Sequence, residues 1–139
     1  MNKPNPKFCQ GYHILVVDDE EKVAKFISEM LTIKGATVTT LNSSKEALDH
    51  FMANKQAIDL VITDQTMPEM TGTELVKNML AERPELPIFL VTGYSPEVDE
   101  DNAESLGIRE FISKPLSLAD LSQKLQKHLP AKGSAAPQG

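Results

Sequence analysis

Thiols are nearly absent from this chain, whose only cysteine is Cys9. A single thiol closes no intrachain disulfide and cannot build a thiolate zinc site. Clusters of lysine or arginine are missing too. Against 14 Lys and Arg stand 20 Asp and Glu, for a net charge of −6. That balance favours solubility and argues against a partner held by its phosphate backbone, so no nucleic-acid partner is expected. No stretch approaches the roughly 18 consecutive apolar residues that a membrane span requires, and no membrane contact is expected. The opening "MNKPNPKFCQGYHILVV" places two lysines before an apolar run. That run is short and meets "DDEE" at once, so it reads as a first strand rather than a signal peptide. Asn42-Ser43-Ser44 matches the glycosylation sequon without an export signal beside it. Together these absences predict a cytoplasmic location.

What is present suits one domain. The 139 residues are 40% hydrophobic and 24% charged, an ordinary globular composition. The first dozen residues and the tail "PAKGSAAPQG" are rich in proline, glycine and small residues. We therefore expect an N-terminal extension or linker over 1–11, a folded domain over 12–130 and a flexible tail over 131–139.

Between the ends, apolar runs alternate with helical patterns. His13–Val17 is a short buried strand, and Val23, Phe26, Ile27, Met30 and Leu31 then mark one helical face. Gly35 closes that helix. A β-rich run covers Ala36–Leu41. Ser43 and Glu46 open a second helix with Ala47, Leu48, Phe51 and Met52 inside. Strand Ile58–Thr63 follows, and Thr71 with Glu74 caps a helix bearing Leu75, Val76, Met79 and Leu80. Pro87–Thr92 is a fourth strand. Ser95-Pro96 starts a short acidic fourth helix that ends at Gly107, with Arg109–Ser113 as a fifth strand. A last helix places Leu118, Leu121, Leu125 and Leu129 on one stripe after Ser117 and Asp120. Strands alternating with helices predict a parallel sheet covered on both faces, an α/β doubly wound domain.

Ligands in such sheets sit where the strands end. Here the ends carry Asp18 and Asp19, then Asp64 in "LVITDQTMPEMTG", then Thr92, then Ser113-Lys114-Pro115. Converging carboxylates repel one another, by on the order of 3 kcal/mol per pair at about 5 Å and an effective dielectric near 20. Raised pKa values or a bound divalent cation relieve this; for a cation, the all-oxygen set points to Mg²⁺, with Mn²⁺ as the alternative. Lys114 adds a mobile positive charge and Thr92 a hydroxyl, both suited to phosphate oxygens. A carboxylate can itself attack phosphorus to give an acyl phosphate. Singly, each residue has a plainer explanation. Asp18 and Asp19 suit a helix N-cap, Asp64 a turn, Thr92 a strand, Lys114 the surface and Phe111 the core. Their joint placement favours chemistry. His13, His50 and His128 show no ligand spacing.

The ordered set "VVDDE", "LVITDQTMP", "VTGY" and "FISKPL" resembles the receiver (CheY-like) domain of two-component response regulators, over roughly His13 to Leu129. The resemblance implies a flavodoxin-like (βα)5 fold with a five-stranded parallel sheet in the order 2-1-3-4-5. It implies Asp64 as phosphoacceptor, and Asp18, Asp19, Asp64 and the backbone carbonyl of Thr66 as ligands of Mg²⁺. Thr92 becomes the hydroxyl switch, Lys114 the phosphate-contacting base and Phe111, where tyrosine is frequent, the aromatic switch. A cis Lys114–Pro115 bond is implied as well. Gly93 leaves the acyl phosphate open to water.

The expected function follows. A histidine kinase or histidine phosphotransfer protein donates a phosphoryl group to Asp64. This biases the face made by the fourth helix, fifth strand and last helix toward an output partner or a phosphorylation-dependent homodimer. The chain is then a signalling domain that assists its own phosphorylation and dephosphorylation, not an enzyme. Two alternatives keep part of this chemistry. One is a receiver module excised from a hybrid sensor histidine kinase. The other is a Mg²⁺-dependent aspartyl-phosphate phosphohydrolase, whose usual second acid two residues beyond the nucleophile is replaced by Thr66.

Overall fold

The computed structural model describes residues 7–93 and 105–129. Five strands, β1 (His13–Val17), β2 (Thr37–Leu41), β3 (Leu60–Asp64), β4 (Ile88–Thr92) and β5 (Glu110–Ser113), alternate with α1 (Glu21–Ile33), α2 (Ser44–Ala53), α3 (Gly72–Glu82) and a last helix, Leu118–His128. All strand pairs are parallel, in the order β2-β1-β3-β4-β5. This is the doubly wound α/β sheet that the alternation predicts.

Side chains of successive strand residues point to opposite faces, and the core divides accordingly. One face carries Ile14, Val16, Leu60, Ile62, Phe89, Val91 and Ile112 under α1 and the last helix. The other carries Leu15, Val17, Val61, Ile88 and Leu90 under α2 and α3. Burial on both faces explains why β3 and β4 are apolar almost throughout.

The helix signals act as read. Ser43 and Ser117 accept hydrogen bonds from the backbone N–H groups of Glu46 and Asp120, and the reciprocal capping box forms between Thr71 and Glu74. Gly35, at φ +100°, sits in the left-handed region after α1, where the Ala36 N–H reaches back to the Leu31 carbonyl at 3.0 Å. That closure suits glycine because it lacks a Cβ.

Several boundaries and faces differ from expectation. β3 starts at Leu60, not Ile58, and ends on Asp64. Pairing in register begins at Ile14 with Leu60 and runs on to Asp64 with Val91. Before it, Asp59 turns its carboxylate onto the His13 N–H at 2.8 Å. β2, β4 and β5 each begin one residue later than read. Phe26, Met52 and Leu118, all placed on inner faces by periodicity, are 46%, 42% and 39% exposed. Each lies at the edge of its helix's apolar arc, which is wider than the sheet can cover. The fourth helix expected after Ser95-Pro96 lies outside the described residues, save for its close at Gly107, φ +92°.

Packing also reaches back before residue 12. Phe8 and Cys9 are buried in the α1 face of the core, and the Cys9 N–H donates to the Lys34 carbonyl at 2.9 Å. Burial pushes the Cys9 thiol up to about 11, which leaves it protonated and unreactive near neutral pH.

Candidate functional site

The switch point of this topology lies between β1 and β3, from which the chain winds in opposite directions. Asp18 directly follows β1, and Asp64 is the last residue of β3. The Asp18 backbone is fixed there by its N–H to the Leu41 carbonyl at 3.2 Å and by the Asn42 side chain on its own carbonyl at 2.9 Å. Its carboxylate accepts the Glu20 N–H at 2.9 Å. The N-cap position of α1 is Glu20, which makes no side-chain cap. Asp18 therefore shapes the turn into α1 and does not cap the helix. Asn42, the sequon residue, is engaged in holding this turn.

One oxygen from each of Asp18, Asp19 and Asp64 lies within 4.8 Å of the others. Asp18 and Asp64 are 2% and 4% exposed, and Asp19 is open to solvent. Burial raises the pKa of Asp18 to about 6; the Glu20 N–H and Lys114 oppose the shift, while Asp64 and Asp19 add to it. Asp64 is raised mainly by burial, against the hydrogen bond and charge of Lys114. The Lys114 ammonium is 3.1 Å from Asp64 Oδ1, 3.5 Å from Glu20 Oε1 and 3.9 Å from Asp18 Oδ2. Burial disfavours its charge, but Asp64, Asp18 and Glu20 together outweigh this and raise its pKa. One monovalent charge thus faces Asp64, Asp18 and Glu20, with Asp19 clustered beside them, leaving an acidic excess that suits a divalent cation.

Lys114 arrives through β5. Its backbone N–H donates to the Thr92 carbonyl at 2.8 Å, and the following Lys114–Pro115 peptide is cis. Asp19, Glu20, Asp64, Thr66, Gly93 and Lys114 line one cleft of about 350 Å³. Among the described residues, a Cβ added to Gly93 would meet nothing within 4 Å. Thr92 is 1% exposed, and its Oγ1 has no hydrogen-bond partner among the described residues. A buried hydroxyl without a partner loses the water it gave up, so Thr92 is suited to an oxygen acceptor supplied from outside.

Phe111 is not in the cleft. It is half-buried against the α2/α3 face of the core, level with Leu90 on β4. Thr92 lies two residues beyond Leu90, so strand alternation puts it on the same side as Phe111. The structure thus gathers Asp18, Asp19, Asp64, Thr66 and Lys114 in one place, with Thr92 behind and Phe111 a pleat away. Sequence reading passed over Glu20, whose carboxylate shares Lys114 with Asp64. The third acid of "DDE" was its only signal.

The family described as response regulator receiver domain matches residues 14–126. The chain belongs to this family. Among curated relatives of this receiver domain, a probable transcriptional regulator, ycf27, of Cyanidium caldarium is 31% identical over 128 residues, covering 92% of this chain and 49% of its own length. The chain spans about half the length of the curated relatives it matches. A receiver domain protein of Clostridium thermocellum superposes with TM-score 0.80 and 32% identity, covering 85% of this chain and 94% of that one. TrrA of Thermotoga maritima, solved in complex with Mg²⁺-BeF, superposes at 0.75 with 30% identity, covering 85% and 99%. Receiver domains are signalling domains that bind Mg²⁺ at an acidic pocket and interact with histidine kinases or phosphotransfer proteins. In this chain Asp18, Asp19 and Asp64 form an acidic cluster at the strand ends. No described helix is long and apolar enough to cross a membrane.

Proposed function

We propose that this receiver domain accepts a phosphoryl group on Asp64 from a phosphohistidine donor. The reading rests on one observation above all: a buried carboxylate at a strand end, 3.1 Å from a lysine ammonium and clustered with two further acids. Asp18, Asp19, Asp64 and the Thr66 carbonyl would hold Mg²⁺, which supplies positive charge to the phosphoryl oxygens. An Asp64 oxygen attacks phosphorus in line, the P–N bond breaks, and its electron pair returns to the donor imidazole. Positioning and charge neutralisation are most of what a protein contributes to such a transfer. Lys114 follows the charge from carboxylate to phosphoryl oxygen, and the Thr92 hydroxyl, without a partner among the described residues, donates to another. Movement of Thr92 toward the phosphoryl group frees space on its side of the sheet, into which Phe111 turns.

The donor's seat is next to the cleft. Val23, Phe26, Pro115 and Leu116, with Lys114, line a hollow of about 370 Å³. Phe26 also borders a second hollow with Met30, Ile33 and Leu118. Ile33 is 68% exposed, so an apolar strip runs from the phosphoacceptor along α1. A helix of the histidine-bearing partner fits such a strip. Asp64→Asn should abolish labelling by acetyl phosphate and by a phosphohistidine donor. Undiminished labelling of that variant, or multiple turnover of phosphate monoesters by the parent, refutes the assignment.

A further inference from the structure

We infer that Gln65 is a positioning residue for the phosphoacceptor site, acting as a clamp that holds the ends of the loop between β3 and α3. The inference rests on the proposed chemistry at Asp64. Gln65 follows the phosphoacceptor and is 3% exposed, a rare depth for an amide side chain. Its backbone N–H continues the ladder to the Val91 carbonyl at 2.9 Å, and its carbonyl accepts the Gly72 N–H at 2.9 Å. Its side chain repeats the tie one residue further on. Oε1 accepts the Thr73 N–H at 2.9 Å, and Nε2 reaches Thr73 Oγ1 at 3.4 Å.

The Thr73 N–H lies in the first turn of α3, where the backbone has no intrahelical acceptor. Thr71 already caps the Glu74 N–H, so Gln65 serves as a second cap from outside the helix. The bonds continue from Thr73 Oγ1 to Thr71 Oγ1 at 3.2 Å, and from there to Glu74 Oε1 at 3.2 Å. From buried Gln65 the chain of bonds runs outward through half-buried Thr73 and Thr71 to exposed Glu74, and ties the loop to the first turn of α3.

What this connection fixes is Thr66. That residue is exposed and lines the cleft beside Asp64, yet its neighbours Gln65 and Met67 are 3% and 6% exposed. Met67 plugs into the α2/α3 face of the core. Thr66 is thus a solvent-facing residue whose peptide is anchored on both sides. With the Gln65 amide removed, the closure at Thr73 is lost and only the backbone bonds to Val91 and Gly72 hold this side of the loop, which loosens it relative to Asp64. Small displacements of a metal-binding or reacting group have large kinetic effects.

Gln65→Leu keeps the side-chain volume and removes both bonds. Ile88→Val, buried at the far end of β4, serves as a control for loss of stability alone, about 1 kcal/mol. Gln65→Glu retains an acceptor for the Thr73 N–H and is the variant expected to fold as the parent does. The readouts are Mg²⁺ affinity by titration, the rate of labelling by acetyl phosphate at saturating Mg²⁺, and urea denaturation. Gln65→Leu should bind Mg²⁺ about tenfold more weakly, as loss of an outer support to a metal ligand does, and should be labelled more slowly. Ile88→Val should match the parent in both, and Gln65→Glu should retain affinity. Gln65→Leu that is destabilised yet binds Mg²⁺ and accepts phosphate like the parent overturns the clamp, as does a Gln65→Glu loss equal to that of Gln65→Leu. A parent that takes no label at Asp64 refutes the phosphoacceptor reading instead.

Discussion

A carboxylate that is 2% exposed and faces two others, as Asp18 does, resists ionisation. Its folded-state pKa of about 6 stands above the ordinary 3.8. In the absence of divalent ions, the folded chain therefore holds a proton between these values that the unfolded chain has released. The stability this group contributes is full below about pH 4 and is lost as pH rises through 6. In EDTA, Asp18→Asn should be more stable than the parent by about 2–3 kcal/mol at pH 7.5. The gap should close toward pH 4. Mg²⁺ should roughly close the gap at pH 7.5, since a ligand bound only by the folded parent adds about 2.7 kcal/mol at a hundred times its Kd. Urea denaturation across this pH range checks both parts, and a gap that stays constant with pH refutes the first.

At the scale of elements, the turn from β3 into α3 holds the site together. A Cβ on Gly72 would lie 2.3 Å from the Asp64 carbonyl oxygen and 2.9 Å from Gln65 Cα. Only glycine lets α3 begin so close behind Asp64. Gly72→Ala should cost about 1–3 kcal/mol and shift the Asp64 and Gln65 amide resonances. An alanine variant with parental Tm and unshifted amides would contradict this.

This turn also shows how much could be read in advance. The capping box at Thr71, the end of β3 near Asp64 and the gathering of strand-end acids follow from local patterns and the parallel topology. Gln65 was not legible, because a glutamine in a polar turn looks solvated until the approach of α3 buries it. Phe26 was misplaced for the opposite reason. Periodicity marks the apolar side of a helix but not where its neighbours stop covering it.

At the scale of the whole molecule, that uncovered margin becomes a surface. Phe26 joins the hollow beside Lys114 to the one near Ile33. On the proposed reading, a donor protein seated there would bury Phe26, whereas a small phosphodonor would not touch it. Phe26→Asp should slow transfer from a phosphohistidine protein at least tenfold, the loss of one well-buried aromatic anchor. Labelling by acetyl phosphate should be unchanged. Equal loss with both donors would instead mean damage to the site itself.

The two-sided sheet has one more consequence. By strand alternation Asp64 shares the side of Ile62, under α1, while Thr92 and Phe111 share the side of Leu90. Asp64 and Phe111 therefore lie on opposite faces of the sheet, with β4 between their strands. On the proposed reading, a donor resting on α1 would leave Phe111, on the other face, uncovered.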